Sequence, residues 1–221
     1  MNSNILLTFN LSLLLVSLIA VEARNLRTAT FFYFIHSIFL FSIIVSYAYF
    51  FKNPTLYLWG VVCFITKVII IPSLIWHYVK KVPVIEYRPF IGFMASFFII
   101  AVLTISFFKL FQTAIDFLAP TQASTQEPVR SLLASAFTVF SLGMYALVSR
   151  RDAVKTVIGL ALLENGVHLT LLCLVPNLSE TTMIGILTNV TVIVFILLYI
   201  SRTIYEVFGS TDTAKLSELK Y

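Results

Sequence analysis

Residues 156–175 read TVIGLALLENGVHLTLLCLV, and the fold turns on how that stretch is understood. Twenty residues of α-helix reach about 30 Å, which matches the hydrocarbon core of a bilayer. Glu164 and His168 interrupt the apolar run near its middle, four residues apart and therefore on one helix face. A carboxylate at that depth costs about 2.5–3.5 kcal/mol even on lenient insertion scales. Something must offset that cost or use the charge.

The rest of the composition agrees with a membrane setting. Of 221 residues 59% are hydrophobic and only 11% charged, about half the charged share of a soluble domain. The net charge of +5 sits in short connections and forms no stripe, which argues against nucleic acid as a partner. Cys63 and Cys173 fall inside apolar spans and suggest neither a disulfide nor a metal motif. There is no phosphate-binding glycine loop, iron–sulfur cysteine cluster, haem-attachment motif or nucleophile elbow. If the protein serves an enzyme, the redox chemistry and its cofactors belong to other chains.

Seven spans follow, at about 4–21, 28–51, 55–78, 89–111, 129–149, 153–175 and 182–205. Their length and continuity exclude the short alternating segments of a membrane β-barrel, so the fold class is all-α, a polytopic membrane protein of seven transmembrane helices. The first span has no Lys or Arg before it and reads as a retained helix, not a cleaved signal. A polar linker, 112–128, separates a four-helix half (1–111) from a three-helix unit (129–206), and 207–221 forms a tail. Eleven basic residues fall on one side of this arrangement and three on the other, with Lys67 inside a span. By the positive-inside rule the linker is external, the N-terminus outside, and the tail cytoplasmic.

Local signals set the boundaries. Ser149 to Asp152 has capping-box spacing for the sixth helix. Pro128 suits the first turn of the fifth, and Ser179-Glu180-Thr181 offers caps for the seventh. Pro72 removes the hydrogen bond to the Val68 carbonyl and predicts a kink one turn past Lys67. Trp76, His77 and Tyr78 read as interfacial. Arg24-Asn25 matches Arg151-Asp152, and Phe64–Val68 matches Ile186–Val190. These matches describe two parallel three-helix repeats joined by a central helix; chance likeness between apolar helices would give the same few identities.

The polar residues inside spans are the candidate site, a proton pathway of Glu164, Lys67, His168 and Asn189. Lys67 lies about 18 Å from the external end of its helix and Glu164 about 17 Å from that of its own, so the two can pair. Glu164 reads either as a protonatable relay or as a structural carboxylate bonded to a neighbouring helix. Lys67 could instead reach toward the interface or pair with another subunit. His168 extends a path or is simply a bonded histidine, and Asn189 orients water or packs helices. His36 and His77 are weaker candidates. Gly159 and Gly166 flatten one side of the sixth helix for close packing.

The run RDAVKTVIGLALLENGVHLTLLCL (151–174) resembles the second helix of the small K subunit of respiratory complex I, where a mid-membrane Glu has a similar context. Over the full length the chain is more similar to hydrogenase-4 component E, through FITKV with Lys67, LLENGVHL with Glu164 and His168, and the tail TDTAKLSELKY. The resemblance implies a membrane-arm subunit of a complex-I-related hydrogenase that helps couple redox chemistry to proton translocation. Its implied partners are antiporter-like membrane subunits, the lipid bilayer and, indirectly, a hydrophilic redox arm. Its implied location is a bacterial or archaeal cytoplasmic membrane. One departure stands out: K-type subunits carry a second acid in the third helix, and here the matching position is Asn189. Two other functions fit the residues, a subunit of a non-redox cation/proton antiporter and a structural tether for antiporter-like subunits.

Overall fold

Long apolar runs broken by Pro, Asn, Ser and charged residues form seven helices in the computed structural model, which describes residues 2–82, 91–114, 127–176 and 179–213. Most of the linker 112–128, the end of the tail and the basic residue Arg88 lie outside the described residues. The helices are α1 (Asn2–Glu22), α2 (Leu26–Phe50), α3 (Thr55–Val79), α4 (Phe93–Thr113), α5 (Val129–Ser149), α6 (Ala153–Leu174) and α7 (Glu180–Phe208). Six are long and apolar enough to cross a membrane; α4 has a shorter apolar core, Met94–Leu110. No strand occurs among the described residues. The chain is a multi-pass, all-helical membrane protein.

Side chains and apolar clusters at both ends fix the helix directions. Glu22, Arg150 and Ser96 meet, bringing the ends of α1 and α5 to the start of α4. Asn53 donates to the Pro176 carbonyl at 3.2 Å, bringing the start of α3 to the end of α6. Helices α1 and α5, α2 and α6, and α3 and α7 pack in pairs, and each pair runs the same way. The interior divides into two apolar clusters. One joins Leu40–Ala48, Leu56–Cys63, Val129–Val139 and Leu169–Cys173; the other joins Leu26–Tyr33, Ile71–Val82, Val154–Leu162 and Val190–Leu198. Between them lies a thinner polar layer.

Asn25 caps α2 by accepting from Arg27 N–H at 2.8 Å, and Ser179 caps α7 through Thr182 N–H. The capping box at Ser149 is corrected. Ser149 is the last residue of α5, and Asp152 is itself the cap of α6, accepting from the Val154 and Lys155 N–H groups at 2.9 and 3.3 Å. The two-residue turn Arg150-Arg151 leaves no room for a separate cap. At this end Tyr78 packs into the bundle, while Trp76 and His77 face outward and Lys80 lies 5.6 Å over the Trp76 ring.

The pair α5–α6 is the tightest contact in the bundle because glycines face it from both sides. A Cβ on Gly166 would sit 2.5 Å from the Phe140 N, one on Gly159 would sit 2.9 Å from the Ala146 Cβ, and one on Gly143 would strike the Leu163 backbone. The expectation for Gly159 and Gly166 holds, and Gly143 completes the set. Gly166→Ala should therefore destabilise the purified protein by about 1–3 kcal/mol in denaturant unfolding. Gly185→Ala, where a Cβ meets nothing within 4 Å, should change little. Equal stability of the two variants would contradict the close contact.

Candidate functional site

The polar layer is built from three helices. From α6 come Glu164, Asn165 and His168; from α3, Thr66 and Lys67; from α2, Tyr33, His36 and Ser37, all buried. Lys67 Nζ closes an ion pair with Glu164 Oε2, and the Lys67 side chain is 0% exposed. On the other side of the carboxylate, His168 Nδ1 lies 3.3 Å from Glu164 Oε1, one helical turn along α6. The Trp59 ring meets the His168 ring edge-on, 6.2 Å between centroids. Glu164 is thus held between a cation and an imidazole, an arrangement that can neutralise its charge or exchange a proton with either neighbour.

Lys67 sits at the centre of an unusual stretch of helix. Phe64–Ile70 is π-helical, and Ile71 N–H bonds to the Thr66 carbonyl five residues back. The break predicted at Pro72 takes this form, with Pro72 opening the α-helix that resumes at Ile71. The wider turn has a clear effect. Cys63, Lys67, Ile71 and Ile75 are spaced by four and all buried, although four-residue steps drift by about 40° each on a regular α-helix. Under-winding removes the drift and holds Lys67 toward α6. Such π segments occur frequently at functional positions.

Of the residues expected to form the path, the structure brings together Lys67, Glu164 and His168. Asn189 is not among them: it lies on the exposed side of α7. His36, a weaker candidate in the sequence, joins the layer together with Tyr33, Ser37, Asn165 and Ser17, which the sequence did not single out. His36 Nδ1 is 2.8 Å from Ser17 Oγ of α1, and it lies within electrostatic range of Lys67. Tyr33 stacks on His36 with an interplanar angle of 18°, and its hydroxyl lies beside Ser37 and Asn165. The available signal was spacing: Tyr33, His36, Ser37 and Leu40 recur at the three- and four-residue intervals of one helix face.

A second polar network closes the end of the bundle where α1, α5 and α6 meet. Arg150 pairs with Glu22, and Ser96 also donates to Glu22 while accepting from the Tyr145 hydroxyl at 2.6 Å. Lys155 donates to the Ala20 and Val21 carbonyls at 3.1 and 3.0 Å, satisfying the last turn of α1. Burial raises the Asp152 carboxyl above its ordinary range, and the hydrogen bonds from Thr211 and the α6 N–H groups oppose that shift. Residues Ser210–Thr213 lie across the α5–α6 turn: Ala153 N–H bonds to the Thr211 carbonyl, and Thr213 N–H to that of Arg151. The basic residues of this turn are thus structural partners as well as topological charges.

Comparison with known proteins places this geometry in context. The family model for NADH-ubiquinone/plastoquinone oxidoreductase chain 4L matches residues 131–221. Hydrogenase-4 component E of Escherichia coli strain K12 is 28% identical over 211 residues, spanning 94% of each chain. The proteins of that name from Escherichia coli O157:H7 and Shigella flexneri match to the same extent. No solved structure matches. The resemblance to hydrogenase-4 component E along nearly the whole chain, and to the small complex I subunit in its last third or more, is borne out.

Contact between Lys67 and Glu164 predicts a specific non-additivity. Lys67→Met and Glu164→Gln should each destabilise the protein by about 3–5 kcal/mol, since each strands one buried charge. The double variant should recover most of that loss. Losses that simply add in the double-mutant cycle would show that the two side chains do not interact.

Proposed function

We propose that this chain, a relative of hydrogenase-4 component E along nearly its whole length, is a membrane subunit of a complex-I-like hydrogenase and carries protons through Glu164. The observation that supports this most is the Lys67–Glu164–His168 cluster, set between two apolar clusters at the middle of the bundle. An acid between a cation and an imidazole can give up and regain a proton as its neighbours shift. Redox chemistry belongs to other chains of the assembly, and antiporter-like subunits are the proposed membrane partners. The excess of basic residues at the Glu22–Arg150 end supports a cytoplasmic position for that end, and kinship with hydrogenase-4 component E supports a bacterial or archaeal membrane.

Inverted vesicles containing the assembled complex test the role of Glu164. Glu164→Gln should abolish redox-driven proton uptake, and Glu164→Asp should keep a fraction of it, with assembly followed by complex abundance. The Lys67→Met background guards against an assembly defect caused by an unpaired ammonium. Normal pumping by an assembled Gln variant would leave Glu164 as a packing anchor and overturn the relay.

Orientation is tested separately. With Cys63 and Cys173 replaced, a cysteine at Ser179 should react with an impermeant maleimide from outside the cell, and one at Lys80 only after the membrane is opened. Reaction of both from one side would refute the orientation.

A further inference from the structure

Helix α7 touches the bundle along one edge, where Leu187, Val190, Val194, Leu198 and Ser201 are buried. Its opposite side is open. There Gly185, Asn189, Val192, Ile196, Tyr199 and Thr203 are exposed, in steps of four, three, four, three and four residues. That is the 3.5-residue period along which one helix packs against another in a left-handed pair.

Exposed apolar faces do not by themselves call for a protein. Helix α1 shows Ile5, Leu11 and Leu15, and α4 shows Met94, Phe97 and Phe98; lipid satisfies both. Asn189 is different. Leu187 belongs to one apolar cluster and Val190 to the other, so Asn189 lies at the depth of the polar layer. Its amide carries two N–H hydrogens and an acceptor oxygen, and no described residue bonds to it. The neighbouring hydroxyl of Thr188 closes on the Ile184 carbonyl at 2.8 Å, which leaves the amide as the unmet polar group. Hydrocarbon offers it nothing. One turn away, a Cβ on Gly185 would meet nothing within 4 Å, so another backbone can approach closely there.

The geometry points to a docking seam on α7 for a transmembrane helix of a different subunit, one that presents an amide, hydroxyl or carboxyl group to Asn189 at mid-membrane depth. Complementary polarity selects this occupant over lipid. The choice of a different chain over a second copy rests on the reading that this protein is one component of a multisubunit assembly.

The test uses the full complex in native membranes, with a photo-crosslinking amino acid at Val192 and, as control, at Leu15. The expected result is a Val192 crosslink to a membrane-spanning segment of another subunit, within about one turn of a polar side chain, while Leu15 captures lipid. Capture of lipid alone at Val192, or of a second copy of this chain, overturns the proposal. In parallel, Asn189→Leu should lower recovery of that subunit by about three- to fifteen-fold, with Asn189→Gln restoring part of it. Unchanged recovery with Leu also overturns it. Neither readout depends on proton pumping, so failure of the seam and failure of the Glu164 relay are distinguishable.

Discussion

A lysine and a glutamate closed on each other in the middle of a bilayer set the terms for the rest of this molecule. Removing two charges from water costs about as much as their attraction returns, and apolar side chains of similar size would often serve stability as well. What Leu or Met cannot supply is a group that takes up and releases a proton. The surrounding construction is consistent with that distinction. Apolar clusters lie on both sides of the pair, which keeps water from the ends and lowers the local dielectric in which the two charges interact.

Holding the pair requires two different kinds of helix. Glu164 rides on α6, which is locked to α5 by glycine contacts that leave little freedom for sliding. Lys67 rides on a π segment, whose wider turn makes it the less regular partner. A rigid acid thus faces a base on an under-wound support. His168 approaches the same carboxylate from within α6, so the spacing between acid and imidazole is set by helix geometry and that between acid and lysine by tertiary packing.

The helical class and the span boundaries were legible because hydropathy reports them directly. The match in depth between Lys67 and Glu164 was also legible, since it needed only rise per residue. Other features were hidden for physical reasons. A proline announces a break in α3, but hydrogen bonds among Thr66, Ile71 and their neighbours decide whether that break becomes a kink or a π segment. His36 gave no sign of its partner because Ser17 is 19 residues away on another helix. Glu22 gave no sign of its role either, because its partner Arg150 lies 128 residues on. Asn189 takes the place of Lys67 in the match of Ile186–Val190 with Phe64–Val68 but sits on the outward side of α7, because periodicity cannot tell which face of an all-apolar helix turns inward.

The segment after α7 has a bearing on how the protein is made. Gly209, in the left-handed conformation at φ 64°, turns the chain out of α7, and the residues after it bond to Arg151, Asp152 and Ala153. A ribosome delivers those residues some sixty positions after the turn they cover. Until then the Asp152 carboxylate lacks its Thr211 hydroxyl and the Arg151 carbonyl lacks both Thr213 bonds. The α5–α6 turn therefore gains these bonds only once the residues beyond α7 have been made. The last residues of the described chain thus complete the hydrogen bonding of a turn made some sixty positions earlier.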